Sequence, residues 1–338
     1  MLERALVTVC IPTFNRPDML RQSLQSVLWQ SYPEFEVIIS DNASTTDTES
    51  VVAEFGDPRI HLDRLPTSIG QFRNMSRALH VGRGTYRMML PDDDLMLPGN
   101  LERKVAFFEA HPEVGLVHSA FRYVGSDGLP FGPVTKWTHL SADTVQPGRE
   151  FIGQSLAQGG ITCVSSVMLR SALVADEAFD EADGPYCDNA LWLRVALRSD
   201  VGFLAEPLAG FRVHVGSASS GFKTMEKVRG RTVLTLQHAD ALRQAHGRFV
   251  ERPELDPESA AKFTKLQRDS DRRMRLAIRI SRWVPPPLLK VAKRLLRWGR
   301  GSRLYSAVSL YSAYAPEAVG DGPPPRAPSP STVGGDGG

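Results

Sequence analysis

Three consecutive carboxylates, Asp92, Asp93 and Asp94, stand between the apolar residues 88–90 and 95–97. Neighbouring anions repel one another and raise each other's pKa unless a cation lies among them. Carboxylate oxygens without imidazole or thiolate partners suit Mg²⁺ or Mn²⁺. A solvated acidic turn is the alternative, since runs of charge usually lie on a surface. Because hydrophobic segments bound the triplet and burying it without a purpose would be costly, we interpret it as a site for a metal ion and a phosphate.

A polar loop that could hold a ligand follows the apolar, β-branched run of residues 5–11. Such a run is typical of a buried parallel strand. An amphipathic helix then begins at Pro17. In open α/β sheets, ligands bind where strands end and helices begin, so the loop between them is a candidate ligand loop. Its residues are Pro12, Thr13, Phe14 and Asn15.

Asp41 follows a second apolar run, residues 35–39, in the same way. A turn or a helix cap would explain a lone aspartate here, because Asx turns are common. Its position after the second strand of a β-α-β unit makes recognition of a nucleoside an equal alternative.

These segments resemble family 2 of the inverting, nucleotide-sugar-dependent glycosyltransferases. The matching strings are VTVCIPTFNR at 7–16, VIISDNAS at 37–44 and YRMMLPDDDLMLP at 86–98, with the stretch 70–84 between them. The resemblance covers roughly residues 5–215. It implies an α/β, Rossmann-like nucleotide-diphospho-sugar transferase fold, the type A glycosyltransferase fold, to which we add a mostly helical C-terminal extension.

The resemblance also implies a set of nucleotide-binding residues. The loop from Pro12 to Asn15 matches the loop around the base and ribose, and Asp41 matches the acid that contacts a uracil-type base. Arg73 and Asn74 match residues that contact phosphate or ribose, against the alternative of an ordinary helix surface.

The metal-binding residues follow from the same match. Counting back from Pro98 gives Asp93 the metal-binding position, with Asp92 near the ribose and Asp94 next to it. Pro91 stands where many members have the first aspartate, so either Asp92 or Asp94 assists Asp93. A Mn²⁺ or Mg²⁺ ion held there would neutralise the departing diphosphate as a Lewis acid.

An inverting transfer needs a carboxylate that removes the proton from the acceptor hydroxyl. Asp188 matches the family's base, at the head of a segment with helical spacing, although Cys187 replaces the usual glutamate. A first-turn acid on the helix dipole is the alternative interpretation. Downstream, Arg212 and His214 match an Arg-x-His element whose side chains approach the diphosphate or the metal.

Composition indicates one large domain with an appendage. The chain has 338 residues, 42% of them hydrophobic, and exceeds the usual size of a single domain. Its three cysteines form no CxxC pair, which favours a reducing, cytoplasmic setting. A signal pattern and a continuous apolar span are both missing from the sequence. We expect a catalytic domain at 1–220, a helical, basic extension at 221–310 and a disordered, Pro/Gly-rich tail at 311–338.

Residues 272–303 carry eleven Lys and Arg and no acid, interleaved with leucines and two tryptophans. This pattern predicts peripheral docking on an anionic membrane surface, at the inner face of the plasma membrane. A basic helix packed on the catalytic domain is the alternative. Nucleic acid is not expected as a partner, because no recognised nucleic-acid motif accompanies the charge.

The sequence therefore predicts an inverting glycosyltransferase with a nucleotide-sugar donor and a glycan or lipid-linked glycan acceptor. UDP-sugar is the expected donor class, with dTDP and GDP sugars open. A Rossmann-type oxidoreductase is an alternative, but the chain lacks GxGxxG after its first strand. A non-catalytic sugar-nucleotide-binding module is another, against which Asp188 argues.

Overall fold

The computed structural model describes residues 5–135, 138, 140–159, 162–214, 225–228, 231–234 and 236–283. The predicted tail at 311–338 and the part of the basic segment from 284 to 303 lie outside the described residues, as does the predicted boundary between 220 and 221.

The first half of the chain builds a parallel sheet in which apolar runs alternate with amphipathic helices. Strands β1 and β2 are buried along nearly their whole length, as their sequences predict. The elements are β1 (Val7–Thr13), α1 (Pro17–Leu28), β2 (Phe35–Asp41), α2 (Thr48–Ala53), β3 (Ile60–Arg64), α3 (Gln71–His80) and β4 (Tyr86–Met89). The strand order β3-β2-β1-β4 places the carboxyl ends of β1, β2 and β4 at one edge of the sheet.

The second half extends this sheet with mixed pairing. Its elements are β5 (Leu95–Met96), α4 (Asn100–Ala110), β6 (Val114–Val124), β7 (Pro130–Thr135), β8 (Thr144–Gln146), α5 (Gly148–Gln158), β9 (Val167–Arg170), α6 (Cys187–Ala196) and β10 (Asp200–Arg212). Strand β9 lies antiparallel between β4 and β6, and β10 runs parallel to β6. The full sheet has ten strands in the order β3-β2-β1-β4-β9-β6-β10-β5, with β7 beside β6 and β8 beside β10.

The described C-terminal residues are mostly helical, as predicted. They form a two-stranded sheet of β11 (Met225–Val228) and β12 (Arg231–Leu234), then α7 (Leu236–Val250) and α8 (Pro257–Trp283). Among the described helices, none is long and apolar enough to cross a bilayer.

Helices α7 and α8 share a hydrophobic core with α5 and α6. Phe249 and Phe263 belong to the same buried cluster as Phe151 on α5 and Trp192 on α6. Burial of each such side chain contributes roughly 1.5–3 kcal/mol. The described helices are therefore packed on the sheet's own helices, whereas a domain boundary at 220 stays a prediction.

Candidate functional site

The three carboxylates lie in the turn between β4 and β5, and all three are buried. Thr13 Oγ1 donates a hydrogen bond of 2.7 Å to Asp92 Oδ2, which joins the turn to the loop after β1. Burial, reinforced by repulsion from Asp93, raises the pKa of both Asp92 and Asp94 above the usual range. The two raised pKa values reflect the crowding of three carboxylates in one buried turn.

Arg16, which was not predicted to belong to the site, supplies a cation next to these carboxylates. Its Nη1 lies 3.1 Å from Asp92 Oδ1 and 2.9 Å from Asp93 Oδ2. Arg16 ends the string that matches the family, but the acids follow 76 and 77 residues later, so no local pattern connects them. Only the adjacency of β1 and β4 in the sheet could have suggested the contact.

His214 completes this group. Its Nε2 lies 3.0 Å from Asp93 Oδ2, and its side chain is 8% exposed. The structure therefore brings together Asp93 and His214, two of the residues predicted to bind metal.

Asp94, the third residue predicted to bind metal, directs both oxygens to neighbouring protein groups. Oδ1 accepts a 2.8 Å hydrogen bond from the main-chain N–H of Arg212. Oδ2 accepts from Ser165 Oγ, in the middle of the 3₁₀ turn before β9. Ser165 was not predicted, because its position depends on the antiparallel insertion of β9. A metal-binding role for Asp94 stays a prediction.

Arg212 is 2% exposed and its guanidinium faces the protein interior. Nε donates a 2.5 Å hydrogen bond to the carbonyl oxygen of Asp93. Nη1 donates to the carbonyls of Gly125 and Ser126, each at 3.0 Å, and Nη2 donates to Gln22 Oε1 at 2.8 Å. These bonds fix the main chain of the carboxylate turn. Contact of Arg212 with a diphosphate stays a prediction.

A divalent cation fits the side chains around Asp93 only with help from a ligand. Among the described residues, no three His, Cys, Asp or Glu side chains converge closely enough to hold an ion by themselves. Mg²⁺ is commonly held by one or two protein carboxylates together with substrate phosphates. Asp93 and His214 are suitable protein ligands for an ion that also binds a substrate phosphate. Arg16 lies beside Asp93.

Hydrogen bonds join the loop after β1 to the loop after β2. Asn15 has a positive φ of 56°, and its Oδ1 accepts a 2.7 Å hydrogen bond from the N–H of Thr45. Ala43 also has a positive φ, 62°. Non-glycine residues in this conformation are strained and cluster at ligand-binding sites. Phe14, between these contacts, is 47% exposed and can offer a ring for stacking.

Asp41 is fully buried between these loops. Its Oδ1 accepts a 2.9 Å hydrogen bond from the N–H of Ser44. Its Oδ2 has no hydrogen-bond donor, and Arg64 Nε lies 3.6 Å away. A buried acceptor without a donor is costly. Oδ2 is closed off from solvent beside Arg64, and contact of Asp41 with a base stays a prediction.

Asn74 and Arg73, which are adjacent on α3, make different kinds of contact. Asn74 is buried, and its amide exchanges two 2.8 Å hydrogen bonds with Ser40 at the end of β2. Arg73 is exposed, with Nε 3.5 Å from Glu181 Oε2. It lines a cavity of about 630 Å³ between the segment 176–183, α6 and α7. Nucleotide contact by either residue stays a prediction.

Asp188 lies in the first turn of α6. Its Oδ1 accepts a 2.7 Å hydrogen bond from the main-chain N–H of Asn189. Burial raises the pKa of Asp188 to about 6, against the lowering effect of main-chain hydrogen bonds. A carboxylate with such a pKa is ionised near neutrality and basic enough to take a proton. Burial raises the pKa of the neighbouring Cys187 thiol strongly, which makes that cysteine a poor nucleophile.

The described part of the basic segment, residues 272–283, has two different sides. Arg273 donates to the carbonyl of Ala157 on α5, and Arg275 pairs with Asp271 and Asp240. The outward side of α8 carries exposed cations that form no ion pair with the described residues. These are Lys262, Lys265, Arg268, Arg272 and Arg279.

Comparison with known proteins gives a family match over the first half of the chain. The model described as glycosyl transferase family 2 matches residues 8–169. The Escherichia coli protein named UDP-Glc:alpha-D-GlcNAc-diphosphoundecaprenol beta-1,3-glucosyltransferase WfaP is 27% identical over 68% of this chain and 85% of its own length. The chain spans only 45% to 66% of the length of three other curated relatives.

Two solved structures have the same fold at low sequence identity. Staphylococcus aureus TarS 1–349 in complex with UDP is 16% identical, with a TM-score of 0.59 over 91% of this chain and 90% of that one. The mannosyltransferase PcManGT from Pyrobaculum calidifontis, in complex with GDP-Man and Mn²⁺, is also 16% identical, with a TM-score of 0.54 over 92% of this chain and 86% of that one.

Proposed function

Because this chain belongs to glycosyl transferase family 2 and has the type A glycosyltransferase fold, we propose that it transfers a sugar with inversion from a nucleotide-diphosphate donor to an acceptor hydroxyl. The observation that carries the proposal is the meeting of Asp93, Arg16 and His214 at the carboxyl edge of the sheet. Anionic and cationic groups at this edge match what a diphosphate and its counter-ion require. The further division of roles follows from the contacts of each side chain.

The donor's base and ribose lie, in this proposal, against the joined loops after β1 and β2. Asp41 matches the family's base-contacting acid, and a shift of the Arg64 side chain, whose Nε lies 3.6 Å from Asp41 Oδ2, would open that oxygen to the imide N–H of uracil or thymine. Phe14 offers an exposed ring, and Asp92 lies next to Thr13 for contact with the ribose. We therefore favour a UDP-sugar donor. Among the proteins named above, WfaP has UDP-Glc in its name, TarS was solved in complex with UDP, and PcManGT was solved in complex with GDP-Man and Mn²⁺.

Asp93 and His214 would hold Mn²⁺ or Mg²⁺ together with the donor's diphosphate. The ion would supply positive charge to the leaving nucleotide. Arg16 contributes a guanidinium next to the same carboxylate, 2.9 Å from Asp93 Oδ2, so it can either balance Asp93 or turn toward a phosphate. Arg212 keeps the turn rigid through the carbonyl of Asp93.

Asp188 is, in this proposal, the general base. Its carboxylate removes the proton from the acceptor hydroxyl while that oxygen attacks the anomeric carbon and the bond to the nucleotide diphosphate breaks. Attack from the side opposite the leaving group inverts the anomeric configuration. The partial burial that raises the pKa of Asp188 to about 6 makes it a stronger base than an exposed aspartate.

The acceptor is, we propose, a surface glycan or a lipid-linked glycan reached at the inner face of the plasma membrane. WfaP is named for a diphosphoundecaprenol-linked acceptor. The unpaired cations on the outward side of α8 suit an anionic lipid surface. The second candidate function is a non-catalytic sugar-nucleotide-binding module. Such a module would bind the donor but would not transfer its sugar, whereas a transferase would do both.

A thermal-shift screen of nucleotide sugars with and without Mn²⁺ or Mg²⁺ tests the proposal. We expect stabilisation by UDP-sugars that depends on the metal, because a ligand that binds only the native state raises the unfolding temperature. A detected donor is then tested for transfer to lipid-linked and soluble glycans. Absence of any metal-dependent stabilisation by UDP, dTDP or GDP sugars would contradict the proposed donor class.

A further inference from the structure

A buried series of hydrogen bonds connects α7 to the residue that follows Asp188. His246 Nε2 on α7 lies 2.8 Å from Asn189 Oδ1 on α6. Asn189 Nδ2 donates a 2.9 Å hydrogen bond to Ser155 Oγ on α5. All three side chains are at most 4% exposed. Three helices are thus joined at one side chain next to the proposed base.

The protonation of this series follows from its chemistry. Asn189 Nδ2 is used as a donor to Ser155, so Oδ1 is the acceptor and His246 Nε2 carries the hydrogen. Burial lowers the pKa of His246 to about 3, so the ring is neutral under physiological conditions. A neutral imidazole protonated at Nε2 gives one defined hydrogen bond, with no charge to redistribute when Asp188 changes its own charge.

Fixing the Asn189 side chain also fixes its main chain. The amide is held at both its oxygen and its nitrogen, in the first turn of a helix whose side chains are almost all buried. The main-chain N–H of Asn189 is the group that donates to Asp188 Oδ1 at 2.7 Å. The direction of that N–H therefore depends on contacts made by His246 and Ser155.

We infer that His246 is a positioning residue for Asp188 and acts through Asn189. It keeps Oδ1 of the carboxylate hydrogen-bonded to the Asn189 N–H, so that Oδ2 is left to receive the acceptor's proton. This inference rests on the proposed function of Asp188 as the base. It extends that function to α7, which lies outside the residues that match the family model. The C-terminal helices then belong to the catalytic apparatus and are not an independent appendage.

The first variant is His246→Phe, which keeps a ring in the cavity and removes the donor. We expect kcat to fall by about tenfold to a hundredfold, because small displacements of a catalytic group cost this much, while the KM for the donor changes by less than about twofold. His246→Gln restores a donor N–H and should recover most of the kcat. The matched control is His118→Phe, since His118 is equally buried and its Nε2 has no hydrogen-bond partner.

Two further measurements separate positioning from a general loss of structure. In an Asp188→Asn background, His246→Phe should cause no additional loss of kcat, because the residue acts only through the carboxylate. In a ¹H–¹⁵N spectrum of the full chain, the main-chain N–H of Asn189 should move in His246→Phe and stay in place in His118→Phe.

An unchanged Asn189 N–H signal in His246→Phe overturns the inference, even if the protein proves to be a transferase. Equal losses of kcat in the Asp188 and Asp188→Asn backgrounds overturn it as well. If the wild-type protein transfers no sugar while the Asn189 signal moves as expected, the proposed function fails and the positioning contact stands.

Discussion

His214 Nε2 and Asp93 Oδ2 lie 3.0 Å apart although 121 residues separate them in the sequence. The contact joins the chain just after β10 to the turn after β4. Arg16 approaches the same Oδ2 from the loop after β1, at 2.9 Å. One carboxylate oxygen is thus shared by a guanidinium and an imidazole, so a metal ion held by Asp93 and His214, as proposed, would lie beside the Arg16 cation.

Asp93→Ala is expected to abolish metal-dependent donor binding. The variant removes the oxygen that faces Arg16 and His214 and so removes the protein's anionic share of the ion's ligands. Titration calorimetry with UDP in the presence of Mn²⁺ should show a loss of affinity of about a hundredfold or more, consistent with several kcal/mol of metal-mediated charge stabilisation.

Asp94→Asn is the matched control for Asp93→Ala. The carboxylate of Asp94 contacts Ser165 and the main chain of Arg212, and an amide can keep both contacts while it removes a buried charge, so this variant should change UDP affinity far less than Asp93→Ala does. Unchanged UDP affinity and Mn²⁺ dependence in Asp93→Ala, or equal losses in both variants, would contradict the assignment of the metal to Asp93.

Asp188→Asn should remove most of the turnover and keep donor binding. The amide retains the shape of the side chain but has no basicity, and loss of a general base costs about 10²- to 10⁴-fold in rate. Transfer is measured at saturating donor and metal, and NMR of the product gives the anomeric configuration. Wild-type turnover by the variant, or a product that keeps the donor's configuration, would exclude Asp188 as the base of an inverting reaction.

The pKa of Asp188, raised to about 6 by burial, predicts the pH dependence of kcat. Only the ionised carboxylate accepts a proton, so kcat should rise with pH through about 6 and reach a plateau near about pH 7. The residual rate of Asp188→Asn should not show this step. A plateau that extends down to about pH 4, the range of an exposed aspartate, would rule out the raised pKa.

Because burial raises its pKa, the ionised carboxylate of Asp188 lowers the free energy of unfolding at neutral pH. A carboxyl whose pKa is raised in the folded state binds its proton more tightly there than in the unfolded chain, so its contribution to stability falls as pH rises from about 4 to about 6. Asp188→Asn should therefore increase the free energy of unfolding at pH 7 by on the order of 1–3 kcal/mol. The increase should vanish near pH 4, and denaturant unfolding at both pH values measures it.

Arg212→Met should destabilise the protein whether or not donor is present. The change leaves the carbonyls of Asp93, Gly125 and Ser126 without their donor, at a cost of roughly 3 kcal/mol or more. Urea unfolding measures the loss, with exposed Arg103→Met as a control that should stay within about 0.5 kcal/mol of wild type. Normal stability with weakened UDP binding would instead support a diphosphate contact.

Neutralising the outward side of α8 should weaken binding to anionic vesicles. Each basic residue near such a surface contributes about 1 kcal/mol, so the double variant Arg272→Gln/Arg279→Gln should lose about tenfold or more in sedimentation with phosphatidylglycerol vesicles at low salt. The control is Arg21→Gln/Arg103→Gln, two exposed cations on other helices. Equal binding by both double variants would favour a packing role for α8.

The ends of the parallel strands were the most predictable part of the site. Continuous apolar runs define β1 and β2, and the polar residues that stop them, such as Thr13 and Asp41, reach the same edge of the sheet because parallel strands share their direction. The proximity of Thr13 and Asp92 follows from β1 and β4 being neighbours. Continuous apolar runs therefore predict where each strand ends, although they do not predict which strands are neighbours.

The remaining contacts depend on strand order, which periodicity does not carry. Arg16 and Ser165 approach the carboxylates from segments far away in the sequence, and Asn189 is joined to His246 across helices. Asn74 was predicted from its match to the family, yet its amide is used by Ser40 within the sheet. A side chain's residue type indicates what it can bind, whereas its tertiary neighbours decide what it does bind.

The central position of β9 has a consequence for how the protein folds. Strands β1 to β4 can assemble through short local crossovers, but the edges of β4 and β6 remain unsatisfied until β9 enters between them. Pairings between residues so distant in the sequence form slowly, and an open strand edge invites intermolecular association. We therefore expect Val167–Arg170 to join the sheet late in folding, so that substitutions there should reduce refolding yield through aggregation before they affect the chemistry of the finished site.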